Sequence, residues 1–176
     1  LEIVSMPKIE VISSTNVFLN CTNLKSIYFE KVLRLHSRTF TGASKLEKIT
    51  INRQINSNKD NMPELISLDK AVPCKIYVPY HSLFAYTNTW SGKPVVSFDI
   101  SATHEGDTYI LSEDNGKYVL IDFIPGQISD ELTIPNVINV AEIGNISIYG
   151  IGEGSFSTVS DTLKNLTLSS SVAYLE

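Results

Sequence analysis

The sequence is poor in the residues that mark several large classes of protein. It has 14 lysine and arginine residues against 19 acidic ones, whereas a nucleic-acid groove needs clustered basic residues. The net charge of −5 also argues against an anionic membrane surface as the partner. No apolar run approaches the ~20 residues of a membrane-spanning helix. We therefore expect no nucleic-acid partner and no direct insertion of this segment into a membrane.

Cysteine is almost absent. Cys21 and Cys74 could form one disulfide, but two cysteines do not make the closely spaced framework of a disulfide-stapled domain. We expect two separate buried thiols, since free cysteine is among the most buried residue types. No signal peptide is visible in this sequence, which shows neither an initiator methionine nor a basic leading segment. We expect a segment of a longer protein, so this absence does not indicate a compartment.

Motifs of common catalytic and metal sites are missing too. There is no GxSxG elbow and no HExxH motif, and the glycine-rich stretch at 150–154 lacks the GxGxxG spacing of nucleotide sites. The three histidines are far apart in sequence, and residues 104–107 (His-Glu-Gly-Asp) are better explained as a solvated turn. The acidic pair Glu113 and Asp114 lacks calcium-loop spacing. We expect no catalytic activity, no cofactor and no metal.

A spacing that occurs three times is the strongest positive signal in the sequence. An aromatic residue is followed, six or seven positions later, by Leu-x-x-[Ile/Leu]-x-[Phe/Ile/Leu]. The copies are Phe18 with Leu24, Ile27 and Phe29; Phe40 with Leu46, Ile49 and Ile51; and Phe156 with Leu163, Leu166 and Leu168. Leu1, Leu24 and Leu46 are spaced by 23 and 22 residues, and a fixed period in the twenties indicates a solenoid. In each copy the apolar residues should point inward from a short strand, and the residues between them outward.

These residues resemble the BspA-like leucine-rich-repeat family of bacterial and protist surface proteins. Its repeat reads roughly Leu-x-x-Ile-x-Ile-Pro-x-x-Val-x-x-Ile-Gly-x-x-Ala-Phe-x-x-Cys-x-x. Residues 18–24 match the Phe-x-x-Cys-x-x-Leu part, residues 40–46 match it with Ala43 in the cysteine position, and residues 163–175 match the strand and the start of the next convex segment. The gap from Phe156 to Leu163 is one residue longer than in the other copies. The resemblance implies a leucine-rich-repeat solenoid of short strands with irregular or short helical convex segments.

The pattern divides the chain into two parts. Residues 1–98 form a first repeat block with a C-terminal cap. Ile76 and Val78 indicate its last strand, and a helix with one face formed by Leu83, Tyr86 and Trp90 should cover the open end. Residues 56–61 should form a polar loop.

Residues 99–176 form a β-hairpin followed by the start of a second repeat block. The dipeptide Asn115-Gly116 lies between two apolar runs, which is a strong hairpin signal. The hairpin resembles the β element that precedes many arrays of this family. The next repeat begins at Leu132.

The outward positions of the repeats define a candidate interaction face. They are Lys25, Ser26, Tyr28, Glu47, Lys48, Thr50, Lys164, Asn165 and Thr167. A mixed polar surface with lysine and tyrosine can bind protein, since tyrosine is enriched at interface hot spots. For any single position a solvated sheet surface is the simpler explanation, but a solenoid offers a long surface to a partner.

The resemblance implies a protein-binding or adhesion segment of a larger cell-surface or secreted protein. The expected location is extracellular or at the cell surface, and the expected partner is a host or matrix protein or another cell-surface protein. Two alternatives stay open. The repeats could be a structural spacer, or they could be a carbohydrate-recognising accessory region of a secreted enzyme, with Tyr77, Tyr86 and Trp90 as an aromatic platform.

Overall fold

Short β-strands are the dominant regular element of the protein. The computed structural model describes residues 1–36, 38–53, 55, 64–65, 68, 72–86, 89–90 and 92–176, so the loop expected at 56–61 lies outside the described residues. The strands are β1 (Ile3–Met6), β2 (Val11–Ile12), β3 (Ser26–Phe29), β4 (Arg34–Leu35), β5 (Lys48–Ile51), β6 (Glu64–Leu65), β7 (Lys75–Val78), β8 (Thr89–Trp90), β9 (Lys93–Ser97), β10 (Ile100–His104), β11 (Asp107–Asp114), β12 (Lys117–Ile124), β13 (Glu131–Thr133), β14 (Ile138–Val140), β15 (Gly144–Ile146), β16 (Ile148–Ile151), β17 (Asn165–Thr167) and β18 (Tyr174–Leu175). A 3₁₀ helix, Tyr80–Ala85, follows β7.

The chain forms two compact units, Leu1–Phe98 and Asp99–Glu176. The first unit contains a sheet with the strand order β1-β3-β5-β7-β9-β8 and a smaller sheet with the order β2-β4-β6. Strands β1, β3, β5, β7 and β9 are parallel to one another, as are the three strands of the smaller sheet. Stacked parallel strands separated by about one repeat of chain are the construction of a solenoid, which confirms the predicted fold class.

The repeat positions form the core of this unit. The six aliphatic and aromatic positions of the first two copies are all buried, namely Leu24, Ile27, Phe29, Leu46, Ile49 and Ile51. The aromatic rings that precede them also pack between layers, because Phe18 and Phe40 stack with centroids 5.6 Å apart. Each such side chain contributes about 1.5–3 kcal/mol by burial, so the repeated spacing supplies much of the driving force for folding.

The end of the first unit differs from the sequence prediction. Strand β7 is not the last strand, because β9 pairs with it in parallel. The helix spans only Tyr80–Ala85, and Trp90 lies in β8, which pairs antiparallel with β9. The helix ends because Tyr86 has an extended backbone (φ −100°, ψ 143°). A capping role for this short helix stays a prediction.

The second unit is organised around a five-stranded sheet with the order β10-β11-β12-β16-β18. Its first three strands are antiparallel, and β12, β16 and β18 are parallel. The hairpin predicted at Asn115-Gly116 is confirmed: it joins β11 to β12. Both turn residues have positive φ (52° and 77°), as a tight two-residue hairpin turn with the twist of the strands requires.

A second core lies under this sheet. It includes Tyr109, Leu111 and Leu120, and Phe123 lies 6.0 Å from the half-buried ring of Phe156. Strand β13 pairs in parallel with β17, and β14 pairs antiparallel with β15. The prediction that Leu166 points inward is wrong, because this side chain of β17 is 40% exposed. Among the described strands only β13 pairs with β17, so the layering that buries Ile27 and Ile49 is not repeated here.

Candidate functional site

The outward positions of β3 and β5 lie side by side on one face of the large sheet of the first unit. In both strands burial alternates: Ile27 and Ile49 are buried, while the residues on either side are half-buried or exposed. The register pairs Ser26 with Lys48 and Tyr28 with Thr50. The period-2 geometry of a strand therefore brings the predicted residues of two distant repeats into neighbouring rows.

The same rows continue onto β7. Lys75 pairs with Lys48, and Tyr77 pairs with Thr50. Sequence reasoning missed Lys75 as a member of the face and assigned Tyr77 to a different surface. The signal was present, since Lys75-Ile-Tyr-Val repeats the alternation of the strand that begins at Lys48. We use the name strand face for Lys25, Ser26, Tyr28, Glu47, Lys48, Thr50, Lys75 and Tyr77.

Two side-chain contacts involve the aromatic rings of the strand face. The Nζ atom of Lys48 lies 4.6 Å from the centroid of the Tyr77 ring, within the range of a cation–π interaction. The Nδ2 atom of Asn52 donates a hydrogen bond of 3.1 Å to the phenolic oxygen of Tyr28. Each tyrosine is half-buried, so part of each ring stays open to solvent.

The charges along the start of the strands are partly paired. The Nζ atom of Lys25 lies 2.9 Å from Oε2 of Glu2, and this hydrogen bond lowers the pKa of Glu2 and raises the pKa of Lys25. Glu47, the next residue in this row, adds a further charge interaction that raises the pKa of Lys25. Among the described residues, no carboxylate lies within ion-pair distance of Lys48 or Lys75.

The other three predicted residues lie in the second unit. Asn165 and Thr167 are exposed on β17, and Lys164 directly precedes that strand. The Nζ atom of Lys164 lies 3.4 Å from Oδ2 of Asp130. The Nδ2 atom of Asn165 donates to Oε1 of Glu131 at 3.4 Å. These residues therefore form a small polar surface with the strand β13 region of the second unit.

Tyr86 cannot be part of the predicted aromatic platform. Tyr86 is only 6% exposed, and its burial raises the pKa of its phenol. A ring enclosed by the core cannot stack on a sugar. Tyr77 belongs to the strand face, and Trp90 lies in β8.

The cysteines and the other residues that could bind a metal ion do not form a reactive or metal-binding site among the described residues. Both cysteines are free thiols. Cys74 is buried, and its burial raises the pKa of its thiol. Cys21 is only half-buried, so the prediction that both thiols are buried is wrong for Cys21. In the part of the chain that the structure describes, no group of three or more histidine, cysteine or acidic residues could hold a metal ion. Within the same described ranges, no helix has the length and apolar character to span a membrane.

Comparison with known protein families gives one match. A family model described as the BspA type leucine rich repeat region matches residues 1–89 in six copies. The matched range is just over half of the 176 residues and contains β1 to β7. No curated protein and no solved structure matches the chain.

Proposed function

The chain belongs to the BspA-type leucine-rich-repeat family, and we propose that it is a protein-binding or adhesion segment of a larger cell-surface or secreted protein. Repeat regions of this family are often involved in binding or adhesion, and the fold is typically non-catalytic. The proposal includes no catalytic activity. It places the segment outside the cell or at the cell surface, where the family is usually found.

The strand face is the observation that carries this proposal. Tyr28, Thr50 and Tyr77 occupy one row across three neighbouring strands. Strands lie about 4.8 Å apart, so the two tyrosines stand roughly 10 Å apart with a small residue between them. Tyrosine supplies large contact area at low cost in side-chain entropy, which is why it is frequent at binding hot spots.

Lysine charges on the same face give the proposed partner a second kind of contact. Lys48 and Lys75 lie in the row next to the tyrosines, and Lys25 is already paired with Glu2. A protein partner that presents a carboxylate beside an apolar side chain would complement both rows. We propose a host or matrix protein, or another cell-surface protein, as this partner.

The test is a binding measurement with a matched control. The double variant Tyr28→Ala/Lys48→Ala removes one ring and one cation from the strand face. The control Lys31→Ala/Phe84→Ala removes an exposed lysine and an exposed ring elsewhere in the same unit. Biolayer interferometry of the full chain against a panel of purified extracellular-matrix proteins should give a partner whose affinity falls at least about tenfold in the first variant and stays unchanged in the second.

A structural spacer is the alternative that this experiment separates. A structural spacer needs its core but not its outward residues. For a spacer we therefore expect that no protein on the panel binds. In a cell-attachment assay with the same proteins, we expect neither variant to differ from the wild type. That result, obtained with variants that unfold at the wild-type temperature, would reject the proposal of a binding face.

We propose further that residues 99–176 are a β-hairpin followed by the start of a second repeat block, in which Lys164, Asn165 and Thr167 have the outward positions. Support comes from the parallel pairing of β13 with β17 and of β16 with β18. The triple change of those residues to alanine should leave binding to the strand face within about twofold, because none of the three residues belongs to the strand face.

A further inference from the structure

The second unit has a trough on the outer face of its five-stranded sheet. It lies over β12, β16 and β18 and has a volume of about 470 Å³. Sites for small organic ligands are typically clefts of about 300–1,000 Å³, so the trough has the size of such a site. It shares no residue with the strand face of the first unit.

The floor of the trough is set by the strand register. Ser112 pairs with Val119, Val119 with Gly150, and Gly150 with Tyr174, so one row crosses four strands. Gly150 has no side chain to fill the middle of this row. A Cβ atom there would lie 3.0 Å from Cδ1 of Tyr174, which means that the phenol ring lies directly beside the glycine.

Two tyrosines are held in place at the sides of the trough. The Nζ atom of Lys117 lies 4.1 Å from the centroid of the Tyr149 ring. The hydroxyl of Tyr174 donates a hydrogen bond of 3.1 Å to Oε1 of Glu176. These contacts restrict both rings before any ligand binds, which lowers the entropic cost of binding.

The lining combines an apolar floor with both donors and acceptors. Val119 and Ile121 are half-buried and supply apolar surface. Lys117 supplies hydrogen-bond donors, Glu176 has acceptor positions beyond the one used by Tyr174, and the hydroxyl of Ser112 can act as either. One cation and one anion give the trough no net charge, so it does not select a polyanion.

We propose that this trough binds a neutral saccharide. A sugar ring has an apolar C–H face, which can lie on Tyr174 and the aliphatic floor, and a rim of hydroxyls that both donate and accept hydrogen bonds. An extended peptide would instead use backbone hydrogen bonds at a sheet edge. Strands β12 and β16 under the trough are paired on both sides, and only β18 lies at the edge of the sheet, so a peptide strand would pair along that edge rather than lie in the trough.

The experiment uses the full chain and defined sugars. The chain is applied to a printed array of neutral oligosaccharides that end in glucose, galactose, mannose or N-acetylglucosamine, with sialylated and sulfated forms beside them. The strongest neutral class is then titrated in solution by isothermal calorimetry. We expect a neutral class to bind, with no gain in affinity from added sulfate or sialic acid.

Three variants locate the binding. Tyr174→Ala removes the stacking ring and should weaken binding at least about tenfold. Gly150→Ala should weaken it several-fold by displacing that ring, and the φ of Gly150 is not in the left-handed region, so the backbone accepts alanine. Tyr28→Ala, on the strand face, should leave sugar binding unchanged. If Tyr174→Ala fails to fold, Gly150→Ala carries the test.

Binding of no neutral sugar at millimolar concentration would overturn the proposal, as would binding of acidic or sulfated sugars alone. Equal affinity of the wild type and Gly150→Ala would overturn it too. These outcomes are distinct from failure of the proposed protein-binding function, which depends on Tyr28 and Lys48 and not on any residue of the trough.

Discussion

At the scale of single residues, the backbone of the first unit depends on a close approach between two turns. Gly42 has φ +77°, and a Cβ atom at this position would overlap Oδ1 of Asn20. Asn20 itself has φ 55°, and its backbone N–H donates to the carbonyl of Thr41 at 2.8 Å. Position 42 needs a positive φ and has no room for a Cβ atom, and glycine is the residue that meets both requirements.

Gly42→Ala should therefore lower the free energy of unfolding by about 1–3 kcal/mol. Urea denaturation followed by circular dichroism measures this loss. In the background Asn20→Gly the side-chain overlap is absent, so the same change should cost less by about 1 kcal/mol. Equal losses in both backgrounds would mean that the overlap does not exist.

A buried phenol makes the stability of the second unit sensitive to alkaline pH. Burial, together with the charges of Asp107 and Glu105, raises the pKa of Tyr109 from 10.0 to about 12. Between these values the unfolded chain has lost the proton while the folded chain keeps it, so stability falls as pH rises. The full effect is at most about 2–3 kcal/mol.

Tyr109→Phe should make the free energy of unfolding depend less on pH above pH 10. Urea unfolding at pH 8, 10 and 11 should show a smaller loss of stability above pH 10 in the variant than in the wild type. The amides of the second unit, followed by hydrogen exchange, report the change for that unit alone. Parallel curves for the two proteins would show that Tyr109 ionises equally easily in the folded and unfolded states.

At the scale of elements, strands and turns were predictable where local pattern decides them. The alternation in β3 and β5 and the Asn115-Gly116 turn are readable because period-2 burial and turn chemistry are local properties. The helix was predicted too long, because Trp90 has helical spacing from Leu83 but pairs as part of β8 instead. The trough was not predictable, since the row through Val119, Gly150 and Tyr174 joins strands that are not consecutive in sequence.

The alternation of a repeat strand can be tested on two adjacent residues of β5. Ile49 is 1% exposed and Thr50 is half-buried on the strand face. Ile49→Ala should lower the free energy of unfolding by about 2–5 kcal/mol through lost burial and a cavity. Thr50→Ala should change it by about 0.5 kcal/mol or less. Similar values for the two variants, measured by thermal or urea unfolding, would be incompatible with an inward Ile49.

At the scale of the whole molecule, both units present a lysine over a tyrosine ring on the outer face of a sheet. The pairs are Lys48 with Tyr77 and Lys117 with Tyr149. The family and its solenoid fold were readable from sequence, because the repeat spacing recurs at a nearly constant period. The extent of the strand face was missed, although residues 75–78 repeat the alternation of β5, because β7 follows β5 after a longer interval than the repeat predicts. Function at this scale depends on whether the strand face is the surface that touches a partner.

Site-specific photo-cross-linking tests this central claim most directly. A photoreactive p-benzoyl-phenylalanine is placed at Thr50, between Tyr28 and Tyr77, and in a second protein at Ser44, an exposed turn residue. Each is irradiated with the matrix protein that binds the wild type most tightly. If the strand face touches the partner, we expect a cross-linked complex from position 50 and none from position 44. Cross-linking from position 44 alone, with none from position 50, would contradict it.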